Sequence, residues 1–390
     1  MKDDSSDVIQ IASRESLSAN PGPCVDLPEE NDDNYFASQS QLVWRKFKSH
    51  RLALFGVGVL VIIYLGAIFA EFVAPYDPHI FDSRYVTAPP QIPHFIGEDG
   101  FSLRPFVYGY QGKRDPETFR MRYEIDPSQR LPIRFFVRGD SYKFWGLWET
   151  DWHLFGTDEG RIFLFGTDTL GRDVFSRIIY GSRISTSIGL VGVFLSFVLG
   201  ITLGGISGYY GGIIDNIIQR TIELLRSIPD IPLWMGLAAA LPSDWPVIRV
   251  YFGITVILSL MGWSGLAREV RGKFFSLREE DFVMSARLVG CSEWRIIAVH
   301  MVPSFMSHII ASITLGIPGM ILSETSLSFL GLGLRAPAIS WGVLLQQAQN
   351  LRTVALAPWL FLPGAFVVIT VLAFNFVGDG LRDAADPYGR

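Results

Sequence analysis

Long apolar runs alternate with short charged segments along this chain, and several of the runs are long enough to cross a bilayer. A helix needs about 20 apolar residues to span the hydrocarbon core. The candidate spans are Leu52–Ala70, Ile184–Ile214, Ile231–Ser243, Val250–Ala267, a stretch beginning within Ile296–Ser323, and one within Thr353–Gly378. The third is the weakest, because charges precede it and Pro229 and Pro232 break or bend it. The pattern predicts an all-α, polytopic membrane bundle of six transmembrane helices.

The basic residues before the first span predict on which side of the membrane the N-terminus lies. Residues 1–43 are polar and acidic and lack a secretory signal, so we expect a disordered cytoplasmic tail. Residues 44–74 hold the first transmembrane helix, which follows the basic run WRKFKSHR at 44–51. Short loops rich in Lys and Arg remain in the cytoplasm, so the N-terminus is predicted to be cytoplasmic. Six spans place the C-terminus there too.

A polar insert separates the first span from the transmembrane core at 165–390. Residues 75–164 are rich in aromatic residues and proline and hold no uncharged run near span length. Alternation over Ile133–Val137 and the turn residues Arg138-Gly139-Asp140 indicate short strands and turns. We expect a small extracytoplasmic cap that helps to contact a partner. The alternative is a poorly ordered loop.

A basic segment at 268–303 lies between the fourth and fifth spans. Within Ser276–Val289, the apolar residues Phe282, Ala286 and Val289 recur at helical spacing, which predicts a short amphipathic helix with an apolar docking side. Six basic residues in this short loop place it in the cytoplasm.

A glycine and a second helix follow the amphipathic helix. Gly290 can adopt the left-handed backbone that ends a helix, and Ser292 is a plausible N-cap for a helix from Glu293 towards Pro303. The residues singled out in this segment are Phe282, Val283, Met284, Ser285, Ala286, Arg287, Gly290, Arg295 and Pro303.

Two polar residues in the last spans are candidates for the pathway or a helix interface. Glu324 is ionisable at or near membrane depth, where such residues are costly and commonly functional. The alternative places Glu324 at the outer membrane interface. Asn375, in the last span, is the second candidate.

Composition narrows the classes of protein that remain. The chain is 49% hydrophobic and 18% charged, which favours a membrane protein, and its net charge of −5 gives no basic excess for nucleic acid. Cys24 and Cys291 have no metal-site or redox spacing, and the six histidines are scattered. No catalytic grouping, metal site or cofactor site is predicted.

Several motifs occur together in a recognisable order. They are FGTDTLGRDVFSRIIYGSRIS, GGISGYYGGIIDNIIQR, SIPDIPL, SETSLSFLGLGL, SWG and VLAFNFVGDGLRDAADP, with the segment ending at Pro303. Over roughly residues 40–390 the chain resembles the C-type permease subunit of dipeptide, oligopeptide and nickel ABC importers. In that family the segment reads E-A-A, three residues, G, nine residues, I-x-L-P. The aligned residues here are Met284, Ser285, Ala286, Gly290, His300, Val302 and Pro303, so Met284 replaces the glutamate and His300 the isoleucine.

The resemblance implies a heteromeric importer in the bacterial inner membrane. Its expected partners are a homologous second permease, two ABC ATPase subunits, an extracytoplasmic solute-binding protein and membrane lipid. No G-x-x-x-x-G-K-[ST] phosphate loop is present, so ATP would be bound and hydrolysed on the ATPase subunits and this chain is not itself an enzyme. The helix that ends at Gly290 would couple the ATPases to the spans. The long insert resembles the branch with microcin-type oligopeptide importers, so the substrate stays open among peptides, nickel, opine-like and antibiotic cargo.

Two other classes of protein fit the sequence less well. A secondary, ion-coupled transporter would carry charged residues inside several spans and usually an internal repeat, and neither occurs here. A membrane-anchored structural or receptor protein would need no basic helix, glycine, helix segment between spans.

Overall fold

A computed structural model describes residues 39–97, 100–117, 121–242 and 244–385. The predicted disordered tail therefore lies almost wholly outside the described residues. The principal helices are α1 (Gln39–Ser49), α2 (Arg51–Ile68), α3 (Ala70–Val73), α4 (Val174–Tyr210), α5 (Gly212–Arg226), α6 (Asp230–Ala239), α7 (Val247–Leu277), α8 (Asp281–Leu288), α9 (Glu293–Arg295), α10 (Val302–Ser304), α11 (Met306–Phe329), α12 (Trp341–Gln346), α13 (Leu351–Leu356) and α14 (Leu362–Ala385). The strands are β1 (His94–Gly97), β2 (Gly100–Arg114), β3 (Met121–Pro132), β4 (Arg134–Phe144) and β5 (Trp148–Gly156).

Five helices in the described part of the chain are long and apolar enough to cross a membrane. They are α2, α4, α7, α11 and the helical stretch Pro358–Ala385 that contains α14. The prediction of a helical membrane bundle is confirmed. The label all-α holds for the bundle alone, because the insert is built of strands.

The chain breaks at Pro229 before the third predicted span, as predicted, whereas Pro232 lies within α6, which ends at Ala239 and is too short to cross a bilayer alone. Two shorter helices, α5 and α6, flank this break at Ser227–Pro229. Proline has no backbone N–H and disfavours helical backbone in the residue before it, so the break falls where Pro229 stands.

Together α5 and α6 retrace the length of α7. Asp215 near the start of α5 is paired with Arg271 near the end of α7. Leu241, just after α6, packs against Gly253 near the start of α7: a Cβ added at Gly253 would lie 3.2 Å from the Leu241 side chain. The two short helices therefore run back along α7 in the opposite direction.

The most extensive helix contact in the described part of the chain is that of α4 with α7, and glycines allow it. A Cβ at Gly204 would lie 2.5 Å from the backbone oxygen of Ala267, and one at Gly208 would lie 2.5 Å from Cβ of Phe274. Small residues let helices approach this closely in a bilayer, where no hydrophobic force draws them together. The contacts advance in the same direction along both helices, so α4 and α7 are parallel.

A buried aspartate begins α4. The Asp173 carboxylate is the N-cap and accepts hydrogen bonds from the Ser176 backbone N–H at 2.7 Å and hydroxyl at 2.6 Å. Burial raises the pKa of Asp173 to about 6.

The insert forms two antiparallel sheets, one of β1, β2 and β3 and the other a hairpin of β4 and β5. Strands were predicted, although not the length of β2 and β3. Apolar side chains of Val107, Ile133, Phe155 and Ile162 form the core of the insert. Its two ends are joined, because the Tyr76 hydroxyl accepts a hydrogen bond from the Ile162 N–H at 2.8 Å. The alternative of a poorly ordered loop is not supported.

Candidate functional site

The inter-span segment, residues 278–305, connects α7 to α11 and holds α8. The predicted helix Ser276–Val289 is shorter in the structure, because α7 runs on to Leu277 and a turn precedes α8. The start of the predicted helix is therefore wrong, while its end is confirmed. Gly290 has a φ of +83°.

The end of α8 is a Schellman motif. The Cys291 N–H donates to the Ala286 oxygen at 3.0 Å, and the Gly290 N–H donates to the Arg287 oxygen at 3.0 Å. These two bonds need a left-handed residue at Gly290, which a glycine adopts without steric cost. A Cβ built there meets no atom within 4 Å, so the requirement for glycine is conformational and not one of space.

The second helix begins at the predicted residue, but it is irregular. Ser292 has the extended backbone of an N-cap, and its side chain makes no capping hydrogen bond. A π-helical stretch, Ile296–Met301, then leads into α10. Pro303 has no N–H, so the regular hydrogen-bond ladder cannot continue through it.

One side chain fastens α8 to the bundle. Val283 is fully buried in a cluster with Phe274 of α7, Ile309 of α11 and Tyr209 of α4. Ala286 packs at the edge of the same cluster. The helix is thus packed on a hydrophobic cluster to which α4, α7 and α11 also contribute side chains.

Two polar contacts support the same attachment. The Arg287 guanidinium lies over the Tyr209 ring, 5.1 Å from its centre. The Tyr210 hydroxyl donates to the Glu293 carboxylate at 2.6 Å. Both rings belong to the last turn of α4, so the inter-span segment is joined to that end of α4.

The residues of the predicted apolar docking side of α8 do not all lie on one surface in the structure. Ala286 faces the chain's own core, which corrects the expectation that it lies on the free side with Phe282 and Val289. The free apolar surface contains Leu288, 88% exposed, and Val289, 83% exposed. Of the residues singled out from sequence, Val283 is buried and Ala286 half-buried, and the exposed ones are Phe282, Met284, Ser285, Arg287, Gly290, Arg295 and Pro303.

An ion pair near this segment was not predicted. Arg271 Nη2 lies 2.6 Å from Asp215 Oδ2, and the Ser207 hydroxyl also donates to Asp215. The Arg271 guanidinium holds the pKa of the Asp215 carboxyl below its ordinary value. The pair ties the first turn of α5 to α7. Its partners lie 56 residues apart, and no local pattern in the sequence links them.

Glu324 lies in a different part of the bundle. It is fully buried, and its carboxylate accepts hydrogen bonds from the hydroxyls of Ser328 at 2.8 Å, Ser340 at 2.8 Å and Ser185 at 3.4 Å. Each hydroxyl in turn accepts a backbone N–H, those of Leu334, Val343 and Trp341 respectively. Glu324 therefore organises the chain that follows α11.

The two candidate regions are far apart. Ser185, beside Glu324, and Tyr209, beside α8, are separated along α4 by 24 residues, or about 36 Å of helix. Asn375 is half-buried on α14. The structure thus does not bring Glu324 together with the inter-span segment.

These features define a class of protein: a polytopic helical membrane protein whose spans are joined by a short helix ending in glycine. The chain belongs to the family of binding-protein-dependent transport system inner membrane components, whose model matches residues 200–388. A second model, the N-terminal transmembrane domain of oligopeptide transport permease C, matches residues 38–90 and identifies the C-type branch of peptide permeases.

Several curated relatives support this assignment. The dipeptide transport system permease protein DppC of Bacillus subtilis is 40% identical over 57% of this chain and 68% of its own length. The oligopeptide transport system permease protein OppC of Haemophilus influenzae is 39% identical over 62% and 76%. The dipeptide transport system permease protein DppC of Lactococcus lactis is 30% identical over 89% and 90%.

Among solved structures, the chain is similar to one of inward-facing conformations of the MetNI methionine ABC transporter. The sequence identity is 18%, over 54% of this chain and 96% of that one, with a TM-score of 0.41.

Proposed function

We propose that this chain is the permease subunit of an ABC importer and forms, with a homologous second permease, the path for peptides or peptide-like solutes. Two separate ATPase subunits bind and hydrolyse ATP, and an extracytoplasmic binding protein delivers the solute. Both termini and α8 are cytoplasmic, and the insert is extracytoplasmic. The observation that carries the proposal is α8, whose Val283 is buried in a cluster shared with three spans while Leu288 stays exposed for a partner.

The arrangement of α8 suits the transmission of force. We expect a partner that moves α8 to displace the ends of α4, α7 and α11 as well, because Val283 is fully buried in the cluster that these spans share. The exposed side chains of Leu288 and Val289 give an ATPase subunit an apolar surface to bind. Peptides as cargo are supported by the names of the relatives and not by a binding site in this chain.

The test is Leu288→Asp, which places a charge on the free surface of α8. We expect the ATPase subunits to be lost when the membrane complex is purified, with uptake lost in parallel, because an unpaired charge in an apolar contact is costly. The matched control is Leu351→Asp, since Leu351 is equally exposed, at 86%, but lies on α13. Normal uptake with ATPases bound to Leu288→Asp would refute the assignment of α8.

The insert is proposed to contact the binding protein. The Lactococcus lactis relative aligns over 354 residues, and an alignment of that length includes part of the insert. Replacing β2 and β3 with a short linker should lower uptake at limiting binding protein while the ATPases stay bound. Unchanged uptake would exclude this role.

Orientation has a direct test. Single cysteines at Ser141, exposed on β4, and at Ser292, exposed after α8, should react from opposite sides with a membrane-impermeant thiol reagent. Labelling of Ser292→Cys, and not of Ser141→Cys, from the periplasmic side would reverse the proposed topology.

A further inference from the structure

The tip of the β4–β5 hairpin carries three large apolar side chains on an exposed turn. Trp145, Gly146 and Leu147 connect the strands, and Trp148 begins β5. Trp145 is 58% exposed, Leu147 69% and Trp148 68%. Turns at a protein surface are normally polar, and an apolar cluster of this kind marks a contact with a partner or a membrane.

The tip is held beside the end of the first span. The Trp145 indole N–H donates to the backbone oxygen of Ile68, the last residue of α2, at 2.9 Å. The Phe144 ring stacks on Phe69, with ring centres 6.0 Å apart. Trp145 has a φ of +51°, a backbone conformation that costs energy for a bulky residue. The strained residue of the hairpin is therefore the one that contacts α2.

The end of α2 indicates where the surface of the membrane lies. α2 is a candidate span, and Ile62 and Leu65 on its outer side are exposed, as expected for a surface against lipid. The last turn of such a span lies where the hydrocarbon meets the headgroups. Tryptophan concentrates at this level because its ring is apolar and its N–H needs a polar partner. The exposed Lys143 beside the tip can extend to the phosphates.

A cleft opens between the tip and two spans. Its volume is about 650 Å³, and apolar surfaces of Tyr64, Leu190 and Trp145 line it. Arg183 also lines it, but both of its terminal nitrogens bond to the Glu71 carboxylate, at 2.8 and 2.7 Å. The cleft therefore offers no free cation to an anionic solute and suits part of an acyl chain.

We propose that the β4–β5 tip inserts into the interfacial layer of the phospholipid bilayer, with Trp145, Leu147 and Trp148 among the headgroups and the first acyl carbons. The contact continues the lipid-facing surface of α2 without interruption. It holds one sheet of the insert against the membrane and leaves the β1–β3 sheet to the aqueous side. This inference does not depend on the proposed roles of α8 or of the partner subunits.

The test places an environment-sensitive fluorophore on the tip. In the full chain with Cys24 and Cys291 replaced by serine, Leu147→Cys is labelled with a nitrobenzoxadiazole dye in nanodiscs of phosphatidylcholine and phosphatidylglycerol. The matched control is Leu103→Cys on β2, a leucine that is 87% exposed on the other sheet. Quenching is compared between iodide in solution and a lipid nitroxide near the top of the acyl chain.

Insertion predicts a blue-shifted emission at 147 that the lipid nitroxide quenches and iodide does not. The label at 103 should show the reverse. Emission and quenching at 147 that match those at 103 would overturn the proposal. Protection of the label at 147 from both quenchers would also overturn it, because protein and not lipid would then cover the tip.

Discussion

At Gly290 the effect of an unfavourable backbone angle can be measured without any steric clash of an added side chain. Its φ of +83° is unfavourable for any residue with a Cβ, yet a Cβ there meets no atom within 4 Å. A left-handed conformation costs a residue other than glycine about 1–2 kcal/mol. Valine, which is branched at Cβ, belongs at the upper end of the range for strained backbone, about 3 kcal/mol. Asparagine tolerates the conformation best and should cost least.

This strain disfavours the native conformation of the inter-span segment. Every 1.4 kcal/mol lowers the equilibrium population of that conformation about tenfold. We expect Gly290→Asn to retain most of the uptake per ATP hydrolysed, Gly290→Ala to lose about five- to thirtyfold, and Gly290→Val to lose about a hundredfold. The ATPases should remain bound in all three. The assay is solute uptake and ATP hydrolysis by the complete importer in proteoliposomes.

Gly272 provides the matched control. It lies on α7 with equally open space around its Cβ position and an ordinary helical backbone. Gly272→Val should therefore leave the coupling ratio unchanged. Wild-type coupling in Gly290→Val, or an equal loss in Gly272→Val, would show that left-handed backbone at Gly290 is not what the segment requires.

Three other outcomes follow from packing and charge. Gly204→Ala should lower the thermal midpoint of the purified protein, with a cost of about 1–3 kcal/mol for overpacking against α7, while Gly236→Ala, which meets open space, should not. Asp173 has its pKa raised to about 6, so its contribution to stability is full below about pH 4 and is lost as the pH rises through about 6. Relative to Asp173→Asn, the wild type should gain thermal stability between about pH 7.5 and about pH 5, and an equal pH dependence would contradict the burial argument. Arg271→Met should destabilise the protein by about 1–3 kcal/mol, because it leaves the half-buried Asp215 carboxylate without its charged partner, and Arg271→Met with Asp215→Asn should recover part of the loss.

Features set by a few neighbouring residues could be predicted from the sequence. The apolar runs gave five spans directly, because a span is defined by length and lack of charge. Gly290 was predicted to end a helix, and its left-handed backbone confirms this. Pro229 was predicted to break the third span, but the sequence alone did not show that two separate helices would result.

Features set by distant residues could not be predicted. The side of α8 that faces its own chain depends on Phe274, Tyr209 and Ile309, which come from three different spans. Periodicity identifies an apolar side without naming what covers it, so Ala286 was assigned to the free surface. The hydroxyls around Glu324 include Ser185, which is 139 residues away, and only Ser328 at the next helical turn was visible from local spacing.

The glycine contacts between α4 and α7 determine how a displacement travels through the bundle. Two parallel helices in backbone contact along much of their length bend far less than one helix, so the pair acts as a single stiff rod. α7 alone is about 46 Å long, so a small tilt imposed at α8 becomes a larger swing at the opposite end. We expect flexing where the backbone is already interrupted, and Ser227–Pro229 between α5 and α6 is such an interruption beside the pair.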